Sequence, residues 1–519
     1  MKRGSVTVFL ALVLVLIMSL IFSLLEGARV FCLKGQAELL SEVCMQSVFA
    51  NYHTGIWEDY HLLFWDGSNQ EAGFSQEKLA GSLMEEVAAN LMQEEQVWGK
   101  NVWDLTALSI KDVEIGQYQL ATDRDGKAFL QQISTQMRLE AAESALEELL
   151  GIQAEGAGFQ SRITQKERDW QQAWDAIEQA ENMEQESKEA SSGTIRGDIE
   201  TSLGIIQEDK EVSRSIMQAR DVISENEVQE NPMEYVKQLK NASILTLVLE
   251  NPTELSTKIV ENHESIENRQ LQAGNWYNTK EPAGLERLWL QYYISRYFSS
   301  YTKESTKGAK DKALAYEVEY LLGGKKQDSE NLEKVVWELI AIREVMNFAT
   351  LMQDAQKKAL ALSIATATVG VTGVLPLIKA VQIGVLLAWS FVESILDIRT
   401  LLAGGKVPML KRVDQWSSDL SNCQKSLEQA SGSKEHTDGL GYGEYLQMLL
   451  FLQSEKTITY RCMDILECNE QVRMDTMVQA AEATVVYEAE PLFWSFNLLK
   501  QKEWEQFEFY GKASMNYGG

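Results

Sequence analysis

Proline is scarce in this chain, 6 in 519 residues, and histidine (4) and cysteine (5) are scarcer still. An interior proline removes a helix hydrogen bond and clashes with the preceding turn, so its rarity leaves room for long helices. Abundant Glu, Gln, Leu and Ala point the same way, to a mainly helical body. Cys32, Cys44, Cys423, Cys462 and Cys468 form neither a CxxC pair nor a zinc-ligand spacing, and their odd number is no disulfide framework. They read as free thiols of an oxygen-poor setting. His53 and His61, with Asp59 between them, lack a third ligand in pattern and read as packing and capping residues, so no metal site is expected.

Catalytic grammar is missing too. The chain has no GxSxG, HExxH or GxxxxGK[ST], and four scattered histidines make no triad. Gly323-Gly324 and Gly404-Gly405 read as helix stops. Glu319, Glu333, Glu338 and Glu344 carry no ExxH or DxD pattern and read as exposed helix faces. No catalytic residue, no cofactor and no small-molecule substrate are expected, and the chain reads as something other than an enzyme. A carboxylate-based hydrolase is the weakest rival, because paired acids need no local signature.

Basic charge is short as well. Lys and Arg number 48 against 76 Asp and Glu, a net charge of −28. Nucleic-acid binding needs concentrated cations, so that partner class is excluded, and acidity keeps the body off anionic lipid surfaces. A hydrophobic content of 45% with 13 Trp argues for folded domains. At 519 residues the chain has room for two or three.

What is present begins with Val6–Leu25, VTVFLALVLVLIMSLIFSLL, uncharged and free of proline and glycine. A helix needs about 20 such residues to cross the hydrocarbon core. Val6, Phe9, Leu12, Leu16, Leu20 and Leu25 are the expected lipid-facing anchor positions. Thr7, Ser19 and Ser23 can return their hydroxyls to helix carbonyls. Lys2 and Arg3 precede the run, which by the positive-inside rule keeps that end cytoplasmic and sends the body across. Glu26-Gly27-Ala28-Arg29 is a poor signal-cleavage site, so a retained single-pass anchor in the cell membrane is expected.

The segment MKRGSVTVFLALVLVLIMSLIFSLLEGARV resembles the amino-terminal segment of TadE/TadG-like pseudopilins of tight-adherence pilus loci. Gly4, the apolar run, Glu26 and Arg29 match in order, as possible processing and motif residues. Where pilin-type processing expects glutamate this chain has Phe9, so the resemblance does not carry prepilin cleavage with it. The remainder is more similar to a large uncharacterised extracytoplasmic group that Gram-positive anaerobes carry beside such loci. The resemblance implies contact with the lipid bilayer and with other pilus or secretion subunits or cell-wall components.

The pattern along the chain predicts five blocks. Residues 1–50 form the anchor and a helical stem, Leu33, Ala37, Leu40, Val43, Cys44, Ser47 and Val48 recurring at helical spacing. Residues 51–150 form a membrane-proximal α+β module, with an aromatic base around Trp57–Trp65 and strand alternation over Thr106–Thr122. Residues 151–284 form an acidic helical hairpin or stalk, ending in an exposed loop over Leu271–Gly284. Residues 285–470 form a helical domain holding a buried hairpin at 359–402, the alternative being a hairpin that dips into the membrane. It also holds helices at Ser329–Met352, opened by Ser329, at Trp416–Gln429, and at Tyr445–Glu470 as one piece. Residues 471–519 supply strands that pair with 106–122. The fold class is mainly α with a small antiparallel sheet (α+β). The function expected is a single-pass, membrane-anchored structural or assembly protein of a Tad-type pilus or secretion system. The alternative is a sensor, receptor or wall-associated binding ectodomain.

Overall fold

The computed structural model describes residues 3–69, 73–97, 108–140, 143–156, 158–190, 231–260, 264–277, 285–303, 312–418, 423–429, 432, 439–493 and 506–518. The chain opens with helices α1 (Arg3–Ala50) and α2 (Thr54–Tyr60), then short strands β1 (Trp65–Asp66), β2 (Ser68–Asn69) and β3 (Gly73–Phe74). Helix α3 (Gln76–Val97), strand β4 (Leu108–Leu120) and helices α4 (Asp123–Glu140), α5 (Glu143–Gly156) and α6 (Phe159–Ala190) follow. After 231 come α7 (Pro232–Lys240), α8 (Ile244–Val248), α9 (Glu286–Tyr297), α10 (Glu317–Gly323), α11 (Asp328–Gln353), α12 (Ala355–Val369) and α13 (Leu375–Leu402). Helices α14 (Cys423–Gln429), α15 (Tyr442–Leu452) and α16 (Glu455–Glu470) lead to strands β5 (Met477–Ala489) and β6 (Phe507–Asn516). The protein is therefore mainly α with a small antiparallel sheet.

These elements sort into two units, each discontinuous in sequence. One holds Met1–Ala141, His263–Tyr293 and Thr459–Gly519, the other Ala142–Asn262 and Ile294–Ile458. The consecutive blocks read from composition do not follow this division. Composition changes locally along a chain, whereas a unit is closed by contacts between its distant parts.

In the first unit β5 is the central strand. On one edge β4 pairs with it antiparallel from Leu108↔Ala489 to Leu120↔Val478. On the other edge β6 runs from Phe507↔Ala489 to Asn516↔Ala480, and β1 meets Val478 and Met477. Because β5 is covered on both faces, it buries Ala480, Ala481, Ala483, Val485 and Val486 in near-continuous sequence rather than in strict alternation. The second half of α1 lies on this sheet. Leu33, Ala37, Cys44, Met45, Val48 and Phe49, at helical spacing, join Leu79, Leu83 and Val87 of α3 and Val485, Tyr487 and Phe509 in one core. Gly511 lets β6 reach α1 closely, since a Cβ there would run into the Ser41 side chain and the Ala37 carbonyl.

The outer edge of β4 is not left bare. The stretch expected as an exposed loop is, in its described part, laced to that strand. Tyr118 N donates to Asn275 Oδ1 (2.8 Å), Asn275 N to the Tyr118 carbonyl (3.0 Å) and Gly274 N to Asp123 Oδ1 (2.8 Å). An unpaired strand edge is a template for wrong pairing, and these bonds cover it.

The second unit is helical and built round α13, whose residues Gly384–Ile398 are buried without interruption. It contacts α6, α7, α11 and α12. Pro376 sits in the first turn of α13, where the missing N–H removes no helix bond, and Gly373 turns the chain from α12 at φ +65°. Helix α6 is no solvated stalk. Trp170, Ala173, Ala176, Ile177 and Ala180 recur at three- and four-residue spacing and are buried. Its acidic residues crowd the opposite face and dominate the composition.

Three helix boundaries also differ from expectation. Helix α11 begins at Asp328, with Gln327 as its flanking residue, and Asp328 accepts instead from Ser256 Oγ (2.5 Å) and Ala315 N (2.9 Å). The single helix expected over 445–470 is two, α15 and α16, parted at Gln453-Ser454 without the aid of glycine or proline. Of the helix expected over 416–429, Cys423–Gln429 is described as helical, and 419–422 lie outside the described residues. The acidic, apolar-poor stretch 199–227 lies outside them too.

Candidate functional site

Among the described residues, the first half of α1 is largely uncovered. Val6, Phe9, Leu12, Leu16, Leu20 and Leu25 range from 44% exposed at Leu25 to 69% at Leu16. The helix is long and apolar enough to cross a membrane, and its most apolar window is 0% buried. A contiguous apolar surface of this length in water is strongly unfavourable, so the segment is a candidate membrane anchor. Helix α13 passes the same test of length and composition, but 67% of its apolar window is buried inside the helical unit.

Where the bare run ends, Glu26 and Arg29 close it off. They sit one turn apart, 0% and 7% exposed, with Arg29 Nη1 donating to Glu26 Oε1 at 2.9 Å. Both reach across to the chain just after β5. Phe493 N donates to Glu26 Oε2 (2.6 Å), Leu492 N to Glu26 Oε1 (3.4 Å) and Arg29 Nη1 to the Glu490 carbonyl (2.9 Å). Phe22 stacks on Phe493 with centroids 6.3 Å apart. The two residues singled out by resemblance thus form a buried latch that ties residues 490–493 to α1. Gly4 lies within α1.

The helical unit holds a second, larger group of buried charge that sequence reading missed. Arg343 on α11, Asp397 and Glu393 on α13, and Lys411 have side chains that are 0% exposed. Arg343 Nε donates to Asp397 Oδ2 (2.9 Å), and its Nη1 reaches the Pro408 and Met409 carbonyls (both 2.9 Å) and Tyr445 Oη (3.0 Å). Lys411 pairs with both Glu393 and Asp397. Ser417 N and Ser418 N complete Glu393 at 3.0 and 2.7 Å. Burial by itself would raise the Asp397 pKa, but Arg343, Lys411 and the Asn347 amide more than offset it and hold the carboxyl below its ordinary value. Two cations and two anions cancel, each fixed by several bonds. Such an arrangement locks α11, α13 and the 408–418 segment together; it does not poise a proton for transfer.

Glu319 is the contrasting acid. It is buried, not on an exposed face as its helix position suggests, and so is Glu344. Tyr301 N and Tyr442 Oη each donate to Glu319 Oε1 at 2.8 Å, while Oε2 has no hydrogen-bond partner among the described residues. With no cation beside it among the described residues, desolvation outweighs these bonds and pushes its pKa up to about 7. Tyr442 is raised as well, first by burial and then by the Glu319 charge. Glu344 instead accepts from Lys166 Nζ (2.8 Å) and Trp170 Nε1 (2.6 Å).

His53 and His61 are brought together by α2 as its two ends. His53 Nδ1 accepts from Ile56 N at 3.2 Å, and His61 takes the left-handed position that ends the helix, its ring 5.3 Å from Trp57. No group of three His, Cys, Asp or Glu side chains suited to a metal occurs among the described residues, and all five cysteines are free thiols.

Fold and site together define a mainly helical protein that carries a bare apolar helix next to its α+β unit. Residues 223–489 match the model of the family of unknown function DUF5702, and the chain belongs to that family. The matched stretch runs from before α7 through β5, and leaves α1, β4 and β6 outside. No curated protein and no solved structure matches the chain.

Proposed function

We propose that this protein is a single-pass, membrane-anchored extracytoplasmic structural or assembly protein, a pseudopilin-like accessory component of a Tad-type pilus or secretion system rather than an enzyme. The observation that carries the reading is α1: one unbroken helix whose first half is bare and whose second half is built into the sheet core, with Glu26 and Arg29 at the junction. A helix continuous across that junction couples anything that packs beside the apolar half in the bilayer to the folded unit outside it. Lys2 and Arg3 set the amino terminus in the cytoplasm. The acidic body would meet other subunits or the wall. A wall-associated binding ectodomain is the second reading, favoured by an open, aromatic-lined cavity in the helical unit.

The test is the intact mass of the native protein in the membrane fraction, together with protease access to the body from outside the cell. A full-length chain, or one lacking only Met1, retained in the membrane with its body accessible supports the proposal. Loss of Met1–Gly4 alone would strengthen the pilin relationship. Cleavage near Ala28 with release of the body would sink it.

A further inference from the structure

Within the helical unit, α6, α7, α11 and α13 enclose an open cavity of about 400 Å³, within the range of small-ligand sites. Its walls are aromatic. Trp170 and Trp174, one turn apart on α6, stack with centroids 6.1 Å apart and planes 13° from parallel. Trp337 of α11 and Phe391 of α13 form a second stacked pair, 6.3 Å and 27°. At the end of α7 the Lys240 ammonium lies 4.0 Å from the Trp170 ring centre and 5.1 Å from that of Phe391. Lys237 sits 5.0 Å over Trp174.

We propose that this groove binds a saccharide carrying a carboxylate, with the sugar packed on the half-exposed Trp174 and Trp337 and the carboxylate paired to Lys240. The charge pattern selects the sign. Among the described residues Lys240 has its two ring faces but no hydrogen bond or ion pair. Glu344, the buried acid of the cavity, is already committed to Lys166 and Trp170 Nε1. Thus, among the described residues, this lining keeps a cation without an ion pair in a chain of net charge −28. The Lys240 ammonium repels a cationic ligand, so an aromatic cage for quaternary ammonium is the wrong reading. A long polyanion such as nucleic acid is repelled by the rest of the surface.

The shape selects the rest. Flat ring platforms favour a ligand with planar apolar faces, as the C–H faces of a pyranose are, and Gln171 and the exposed Glu167 on the lining offer hydrogen bonds to hydroxyls. Although Lys240 is exposed as a residue, the packing around its ammonium desolvates it and draws its pKa below the ordinary lysine value, with the Glu344 charge opposing. A carboxylate arriving there replaces the lost water with a charge-assisted hydrogen bond.

Calorimetric titration of the detergent-solubilised full chain tests this with two defined probes, trigalacturonic acid and the N-acetylglucosaminyl-N-acetylmuramic acid disaccharide. The methyl ester of each serves as the neutral control. Binding of at least one acid, weakened tenfold or more by its esterification and by Lys240→Gln, and lost in Trp174→Ala, is the expected result. Which acid binds tells a uronic acid source from an amino-sugar source. Absence of binding by both acids, or equal binding of acid and ester, overturns the proposal. Both substituted residues are incompletely buried, and thermal melts report whether each variant folds. Should Trp174→Ala fail to fold, unchanged affinity in Lys240→Gln is still decisive against the site. The experiment does not depend on how the chain is anchored.

Discussion

Helices α1 and α13 are both long and apolar enough to cross a membrane, yet one is bare and the other is the centre of a folded unit. The difference lies in what interrupts the apolar sequence. Val6–Leu25 carries nothing that needs a partner beyond hydroxyls that can bond within the helix. Helix α13 carries Ser390, Glu393, Ser394 and Asp397, all buried, and each meets a group brought from elsewhere or from its own preceding turn. Polar groups placed along an apolar helix are therefore a sign that protein, not lipid, surrounds it. Four experiments break or sharpen that contrast.

The largest effect is expected from the charges of α13. Asp397→Asn or Lys411→Met leaves the remaining members of the network buried without their counter-charge, a loss of about 3–5 kcal/mol. Denaturant unfolding of the solubilised chain, followed by tryptophan emission, measures it. A loss below about 1 kcal/mol would mean that the network does not decide where α13 goes.

On α1 the same kind of charge should act on location instead. Leu12→Arg or Leu16→Arg places a cation at the middle of the anchor, costing about 2.5–3.5 kcal/mol of insertion. The protein should shift from the membrane to the soluble fraction while the melting temperature of its body stays unchanged. A drop in that temperature would show that the bare half of α1 is packed after all.

A third measurement separates a buried acid with cations from one without. Glu319, raised from about 4.5 to about 7, favours the folded state when protonated. Its contribution is complete below its unfolded pKa and declines as pH rises through 7. With about 1.4 kcal/mol per pKa unit this amounts to a few kcal/mol. The groups facing it are Tyr301, Tyr442, Tyr316 and Asp328. Asp328 is itself raised by burial, so the difference between wild type and Glu319→Gln is the quantity to plot. That difference should change with pH between about 4.5 and 7; a flat one refutes the assignment.

The smallest effect belongs to the latch. Glu26→Gln weakens the pair with Arg29 and the bond to Phe493 N, for about 1–3 kcal/mol at most. The readout is faster proteolysis at residues 490–493 with the helicity of α1 unaltered. Unchanged cleavage would show that the latch does not hold this segment.

How much of this could be read from the residues alone follows from how local each feature is. The apolar run of α1, the glycine stop at Gly324 and the alternation in β4 and β6 are written in neighbouring residues and visible there. The strand β5 is less plainly marked, because burial on both faces fills it with Ala480, Ala481 and Ala483 and weakens the alternation. The burial of α6 is obscured by its many exposed glutamates, although Trp170, Ala173 and Ile177 trace its inner face. Glu319 and Glu344 read as surface because their residue type is usually solvated. What buries them is Tyr301 and Tyr442 in one case and Lys166 and Trp170 in the other, none of them a neighbour in sequence. Glu26 and Arg29 were visible only through a resemblance, yet a charged pair one turn apart at the end of an apolar helix is a signal in itself.

The central position of β5 also sets a clock. Ser109 on β4 reaches the Glu488 carbonyl across 379 residues. At a synthesis rate of about 5–20 residues per second, the first strand waits roughly 20–75 s for its neighbour. Through that interval the sheet-facing side of α1 and the inner edge of β4 lack the strand they close on, while the helical unit, whose sequence lies between, is already complete enough to fold. Closure of the unit that holds the sheet therefore waits for β5 and β6, after the sequence of the helical unit is complete.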